Sequence, residues 1–170
     1  AVRQGCRRGT RPAAAGNGPC AAGLRRGGRG LRLLDTDVLS ELMRPTPDPR
    51  VQRWADRLPH HAFCTAATVV AELRFGVELL PAGQRRRRAS HAVDRLLRDV
   101  LGRRILPFDL TSARHCAVFR AARQQAGRPV SVQAAMIVAT AVAHRVEAIV
   151  TRDLDGFEGC GLLLIDPWAA

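Results

Sequence analysis

The chain has 170 residues, 46% of them hydrophobic and 25% charged, which is typical of one globular domain and argues against a disordered or fibrous protein. No apolar run approaches the roughly 20 residues that a membrane-spanning helix needs. Five cysteines without a C-x-x-C pair argue against a disulfide framework and a zinc module, so we expect a cytoplasmic protein. The formal net charge is +12, and every basic residue other than histidine is arginine.

The chain opens with an arginine- and glycine-rich segment, residues 1–30. It holds seven arginines, eight glycines and no acid, and it shows no hydrophobic periodicity. Such a segment cannot bury enough apolar surface to offset the entropy of ordering it. We therefore predict a disordered extension, with a basic arm that contacts RNA as the alternative, followed by one domain over residues 31–170.

From Leu31 onward, short apolar segments alternate with longer amphipathic ones. Five segments have the length and composition of strands: 31–34, 62–66, 104–107, 148–151 and 162–165. Six segments have helical periodicity: 38–43, 49–58, 69–80, 86–101, 111–126 and 132–144. This alternation predicts βαβ units with right-handed crossovers, and hence a three-layer α/β/α sandwich around a mostly parallel sheet.

Acidic residues follow three of the predicted strands. Asp35 and Asp37 come directly after the first strand, Glu72 lies one turn into the helix after the second, and Asp153 and Asp155 follow the fourth. Ligands of parallel sheets bind outside the carboxyl ends of the strands, so we expect these acids to converge there. Such carboxylates suit Mg²⁺ or Mn²⁺, which could activate water against a phosphodiester. Singly, Asp37 could instead cap a helix and Asp153 could stabilise a turn.

Six segments give the chain a resemblance to a known family when their order and spacing are considered together. They are residues 33–42 (LLDTDVLSEL), 68–76 (TVVAELRFG), 127–132 (GRPVSV), 151–153 (TRD), 157–161 (FEGCG) and 165–168 (IDPW). In these segments the chain resembles PIN-domain proteins, specifically the VapC-type toxin ribonucleases of bacterial type II toxin–antitoxin systems. The resemblance implies metal-dependent endonucleolytic cleavage of RNA, a homodimer, and inhibition by a small cognate antitoxin.

By this resemblance, the catalytic and metal-binding acids are Asp35, Glu72 and Asp153, with Mg²⁺ or Mn²⁺ as the cofactor. Relatives usually carry Ser-Val-x-Asp at the start of the penultimate helix, where this chain has Ser-Val-Gln-Ala over residues 131–134. No acid occurs between residues 110 and 145 to replace the one missing at Ala134. We therefore expect a weakened nuclease.

Four further residues are candidates for supporting roles at this site. Asp37 and Asp155 are possible auxiliary acids, although relatives commonly carry Asp where this chain has Gly156. Arg74 and Arg152 adjoin two of the predicted catalytic acids in sequence, which makes them candidates for contact with RNA.

Two other functions stay open. A degenerate PIN domain would keep the fold and the antitoxin-binding groove but cut RNA poorly or not at all. An α/β hydrolase or phosphotransferase with Asp35 as nucleophile would need a lysine to balance phosphate charge, and the chain contains none. A nuclease assay with and without EDTA separates most of these alternatives.

Overall fold

The computed structural model describes residues 30–169, so the extension predicted over residues 1–30 lies outside the described residues except for Gly30. Five strands form within that range: β1 (Arg32–Leu34), β2 (Phe63–Ala66), β3 (Ile105–Leu106), β4 (Ala148–Val150) and β5 (Leu163–Ile165). Seven α-helices accompany them: α1 (Thr36–Leu42), α2 (Pro49–Asp56), α3 (Ala67–Glu78), α4 (Gln84–Arg95), α5 (Leu110–Gln125), α6 (Val132–Ala143) and α7 (Leu154–Phe157). A 3-10 turn, His60–Ala62, precedes β2, and a π-helical turn, Leu96–Leu101, continues α4.

The strands form one parallel sheet in the order β3-β2-β1-β4-β5. Strand β1 lies at the centre, where Leu33 is opposite Cys64 of β2 on one side and Ile149 of β4 on the other. From β1 the chain builds β2 and β3 on one side of the sheet and then crosses to build β4 and β5 on the other side. The ends of β1 and β4 therefore border the crevice in which such folds bind ligands. The predicted three-layer α/β/α fold is confirmed, and the sheet is parallel throughout.

The core forms where the central strands meet the helices on either side. Leu33, Leu34, Ile149 and Val150 are fully buried, as their near-continuous apolar sequence requires in a sheet covered on both faces. Helix α6 is buried over most of its length, because its twelve residues are almost all small or aliphatic. Because α6 is packed in the core, the position of its first turn beside the sheet is fixed.

The remaining general features agree with the sequence. No helix within residues 30–169 is both long and apolar enough to cross a membrane. Cys64, Cys116 and Cys160 carry free thiols, and the first two are buried as small core residues.

Candidate active site

Asp35 lies directly after the central strand β1 and begins α1 as its N-cap, the role that the sequence offered as an alternative for Asp37. Its Oδ1 accepts a hydrogen bond from the backbone N–H of Thr36 at 2.7 Å, and its Oδ2 accepts one from the Thr151 hydroxyl at 2.8 Å. Burial raises the pKa of Asp35 to about 6 against the lowering effect of these two hydrogen bonds, and the nearby charges of Asp37 and Glu72 raise it further.

Residues of three helices meet at one carboxylate oxygen of Glu72. It lies on α3, and its Oε2 accepts hydrogen bonds from the Thr36 hydroxyl of α1 and from Nε2 of Gln133 in the first turn of α6. Thr36 therefore contacts both acids, through its backbone N–H to Asp35 and through its hydroxyl to Glu72. The structure places these two predicted acids side by side.

Asp153 is connected to the site through Thr151, the residue that follows β4. The backbone N–H of Asp153 donates to the Thr151 hydroxyl at 3.1 Å, and that same hydroxyl donates to Asp35. The carboxylate of Asp153 is exposed and caps α7, where its Oδ1 accepts from the N–H of Gly156 at 3.0 Å. A Cβ at position 156 would lie 2.2 Å from Asp153 Oδ2, so this side-chain position depends on glycine there.

The three predicted acids do not form one compact ligand set. Within residues 30–169, no group of three His, Cys, Asp or Glu side chains is arranged to hold a metal ion. The auxiliary candidates Asp37 and Asp155 are exposed in the first turns of α1 and α7. Asp35 and Glu72 thus form the compact part of the site.

The pair formed by Asp35 and Glu72 fits a single divalent cation. Both accept hydrogen bonds from neutral groups, and neither forms an ion pair with an arginine of the described chain. Two neighbouring carboxylates without a counter-ion, one of them buried, favour a bound cation that balances their charge. Magnesium is commonly held by one or two carboxylates, with water and phosphate oxygens completing its octahedron.

The two arginines predicted to contact RNA have partners within the protein. Arg74 forms an ion pair with Asp94 of α4 at 2.5 Å, and this hydrogen bond lowers the pKa of Asp94. The guanidinium of exposed Arg152 lies 5.3 Å from the ring centroid of Trp168, within cation–π distance. Arg152 thus keeps an exposed charge beside Asp153, whereas Arg74 connects two helices.

A groove with a volume of about 1310 Å³ extends from Thr36 and Glu72 along α3 and α4. Most of the side chains that line it are apolar, and the basic ones of α4 lie beside them. The apolar residues include Leu73, Val77 and Leu96, and the basic ones include Arg85, Arg88 and Arg95. The groove therefore connects Glu72 to a surface suited to an amphipathic segment.

Sequence reasoning missed three residues that hold the acids in place: Thr36, Thr151 and Gln133. Thr36 lies two residues after the end of β1, in the segment Asp-Thr-Asp, and Thr151 directly follows β4, in the segment Thr-Arg-Asp. At these positions a hydroxyl can reach an acid that follows a neighbouring strand. Gln133 lies beside Ala134, the position at which the family resemblance predicts an acid. For the two threonines, a polar residue close to a predicted acid was the available signal, whereas no acid near Gln133 in the sequence pointed to it.

A family model described as "PIN domain" matches residues 32–159, a range that contains all the acids discussed above. The chain is 39% identical over 136 residues to VapC ribonuclease Y4jK of Sinorhizobium fredii, covering 80% of this chain and 96% of that protein. It is 35% identical over 136 residues to toxin FitB of Neisseria gonorrhoeae, covering 80% and 97%. The crystal structure of FitAcB from Neisseria gonorrhoeae superposes with a TM-score of 0.72 at 34% identity, covering 82% of this chain and 100% of that one.

Proposed function

Because the chain belongs to the PIN-domain family, we propose that it is a VapC-type endoribonuclease toxin that hydrolyses RNA phosphodiester bonds with Mg²⁺ or Mn²⁺ in the cytoplasm. The observation that carries the proposal is the pairing of Asp35 and Glu72 at the carboxyl ends of the central strands, without an arginine counter-ion in the described chain. The relatives named as a VapC ribonuclease and a toxin, each at least 35% identical over nearly their full length, support it.

In this proposal Asp35 and Glu72 hold the cation, and the surrounding chain keeps both carboxylates in place. A bound divalent cation would lower the pKa of a water molecule and neutralise charge on the scissile phosphate. Thr151 and the Thr36 backbone orient Asp35, while the Thr36 hydroxyl fixes Glu72. Their hydrogen bonds reduce the rearrangement needed when substrate binds.

Asp153 is the third catalytic acid of the proposal, and its part differs from that of the compact pair. Its backbone is fixed to Thr151, but its carboxylate caps α7 through Gly156. Rotation of this exposed side chain away from Gly156 would bring a carboxylate toward Asp35 and supply a base that takes a proton from the attacking water. The cost is one capping hydrogen bond, about 1 kcal/mol.

In this proposal the positive charge of the protein attracts RNA, and Arg152 binds a phosphate of the RNA backbone. The net charge of +12 favours association with a polyanion at low salt. Arg152 is exposed next to Asp153 and its guanidinium is oriented by Trp168. Arg74 could contribute only after its ion pair with Asp94 opens.

We propose that a cognate antitoxin occupies the groove between α3 and α4. The groove combines apolar residues with Arg85, Arg88 and Arg95, which suits a segment carrying apolar and acidic side chains. Because the groove also reaches Glu72, a segment bound there would obstruct the acidic pair. A homodimer is part of the same proposal, and exposed Phe75 of α3 and Leu79, the residue that ends this helix, offer an apolar surface for it.

A cleavage assay on total RNA tests the nuclease activity. The full chain should cut with Mg²⁺ or Mn²⁺ and lose that activity in EDTA, and Asp35→Asn and Glu72→Gln should each reduce cleavage at least a hundredfold. Asp56→Asn, a change at an exposed acid of α2, serves as the matched control and should leave cleavage unchanged. Cleavage that survives EDTA or both substitutions would contradict a metal site at this pair.

A catalytically degenerate domain that only binds an antitoxin is the second candidate. It is favoured by alanine at position 134 and by the absence of a three-acid group within residues 30–169. The two candidates differ in one measurement: a degenerate domain would bind the antitoxin with high affinity yet show no cleavage at millimolar Mn²⁺ above the Asp35→Asn background.

A further inference from the structure

Position 134, where relatives usually carry an acid, cannot supply a ligand in this chain. Ala134 has a methyl side chain that is 8% exposed and belongs to the main hydrophobic core. Its backbone N–H donates to the Ser131 hydroxyl, which fixes the start of α6 as a regular capped helix. Any polar atom that α6 contributes to the site must therefore come from a neighbouring position.

Gln133 is that neighbour, and its side chain already lies at the site. Its Nε2 donates to Glu72 Oε2, the same oxygen that accepts from the Thr36 hydroxyl. The residue is partly buried, and α6 is held firmly by its buried face. The amide is thus presented to Glu72 from a rigid element.

A glutamine side chain carries a donor and an acceptor on one terminal group. In the structure the donor Nε2 faces Glu72, as expected when a carboxylate needs partial neutralisation. A half-turn of the amide exchanges Nε2 for the carbonyl oxygen Oε1 at low cost, because that torsion is soft. Amide carbonyls are hard oxygen ligands of the kind that divalent cations take in proteins.

Building on the proposed function, we propose that Gln133 is the third protein ligand of the metal site, with its Oε1 occupying the place that an acid at position 134 would fill. Without metal, the amide holds Glu72 through Nε2. With metal bound, the cation supplies the positive charge and the amide turns its oxygen toward it. The site then has two carboxylates and one neutral ligand, so it carries one negative charge less than a three-acid site and binds the cation more weakly.

Titration of Mn²⁺ into the full chain, followed by calorimetry and by water proton relaxation, tests this assignment. Gln133→Ala should raise the Kd for Mn²⁺ about tenfold. It should also increase the proton relaxation per bound Mn²⁺, because one water replaces the lost ligand. Val132→Ala, an exposed change in the same helical turn, is the matched control and should alter neither quantity.

Gln133→Glu separates a ligand from a residue that only holds Glu72. A ligand role predicts binding at least tenfold tighter than in the wild type, because the new carboxylate adds charge to the site. A holding role predicts weaker binding, because the new carboxylate would repel Glu72. The inference is overturned if Gln133→Ala binds Mn²⁺ like the wild type with unchanged relaxation, or if Gln133→Glu binds more weakly. If the wild type itself binds no Mn²⁺ at millimolar concentration, the metal dependence of the proposed function fails together with the inference.

Discussion

The carboxyl group of Asp35 is held in a place that favours its neutral form. Its raised pKa, about 6 against 3.8 for the unperturbed group, means that the folded state binds this proton more tightly than the unfolded state does. The resulting stabilisation is complete below about pH 4 and is lost as the pH rises through about 6. A metal-free site is therefore a local source of instability at neutral pH.

Asp35→Asn should raise the free energy of unfolding at pH 7 in EDTA by about 3 kcal/mol, and by much less at pH 4. Asparagine can keep both hydrogen bonds, accepting from the Thr36 N–H and donating to Thr151. Urea unfolding at the two pH values measures the difference. Saturating Mn²⁺ should stabilise the wild type and leave the variant unaffected, and an equal response of both proteins would contradict the site.

Ala134→Asp should tighten Mn²⁺ binding and increase RNA cleavage. The position lies three residues after the N-cap Ser131, where an acid is favoured by the helix dipole by about 0.3–1 kcal/mol. Because the site is largely buried, we expect a small loss of thermal stability without metal that Mn²⁺ restores. Melting curves with and without metal, paired with the cleavage assay, check both effects. Wild-type activity equal to that of the variant would show that the missing acid is not limiting.

For single residues, the sequence predicts which acids form the site, and that assignment stays a prediction, but it does not predict how each acid is placed. The proximity of Asp35 and Glu72 was predictable because each follows a recognisable strand within a characteristic segment. The separate position of Asp153 was not, since it depends on a four-residue helix and on glycine at 156. The contact from Gln133 was also hidden, because it depends on how α6 is rotated against α3.

At the level of secondary-structure elements, an ion pair between α3 and α4 changes the role expected of Arg74. Arg74 was predicted to contact RNA because it lies near a predicted catalytic acid, but it forms an ion pair with Asp94 across the helix interface. The pair is partly exposed, so it contributes about 0–1 kcal/mol to stability.

Arg74→Ala should therefore lower RNA affinity less than twofold, whereas Asp94→Asn should increase it by releasing the arginine. Filter binding of a single-stranded RNA at two salt concentrations measures both variants. The salt dependence of binding should steepen by about one unit for Asp94→Asn if Arg74 then contacts a phosphate. A large loss of affinity in Arg74→Ala would restore the original interpretation of this residue.

The order and type of most elements followed from periodicity alone, because strands between amphipathic helices give strong signals. The exceptions have physical causes. The pattern over residues 86–101 reads as one helix, whereas the structure changes from α4 to a π-helical turn at Leu96, a change in hydrogen bonding that apolar spacing does not report. Helix α7 is only four residues long and had no periodicity to detect.

For the molecule as a whole, the composition break at residue 31 predicts that stability resides in the domain. A chain that begins at Leu31 should melt within a few degrees of the full chain in differential scanning calorimetry, because β1 starts at Arg32 and is buried in the core described within residues 30–169. A drop of ten degrees or more would show that the arginine-rich segment contributes to folding. RNA affinity at low salt should fall with the removal of seven arginines.

The second prediction for the whole molecule concerns the exposed apolar side chains of Phe75 and Leu79, at the C-terminal end of α3. Light scattering at micromolar concentration should report a dimer for the full chain, and the double substitution Phe75→Ser with Leu79→Ser should convert it to a monomer. Leu163→Ser removes a similarly exposed apolar side chain from the edge strand β5 and should leave the dimer intact. A monomeric wild type would contradict the proposed self-association.

The contact between Thr151 and Asp35 also determines when the site can form during synthesis of the chain. The two residues are 116 positions apart, and the strands that carry them become neighbours only when β4 has been synthesised and has paired with β1. A nascent chain that ends before β4 contains Asp35 and Glu72 but lacks the hydroxyl that orients the first of them. Such distant pairings form late in folding, since their loops must close first. A growing polypeptide would therefore stay harmless to the RNA around it until its last strands are in place.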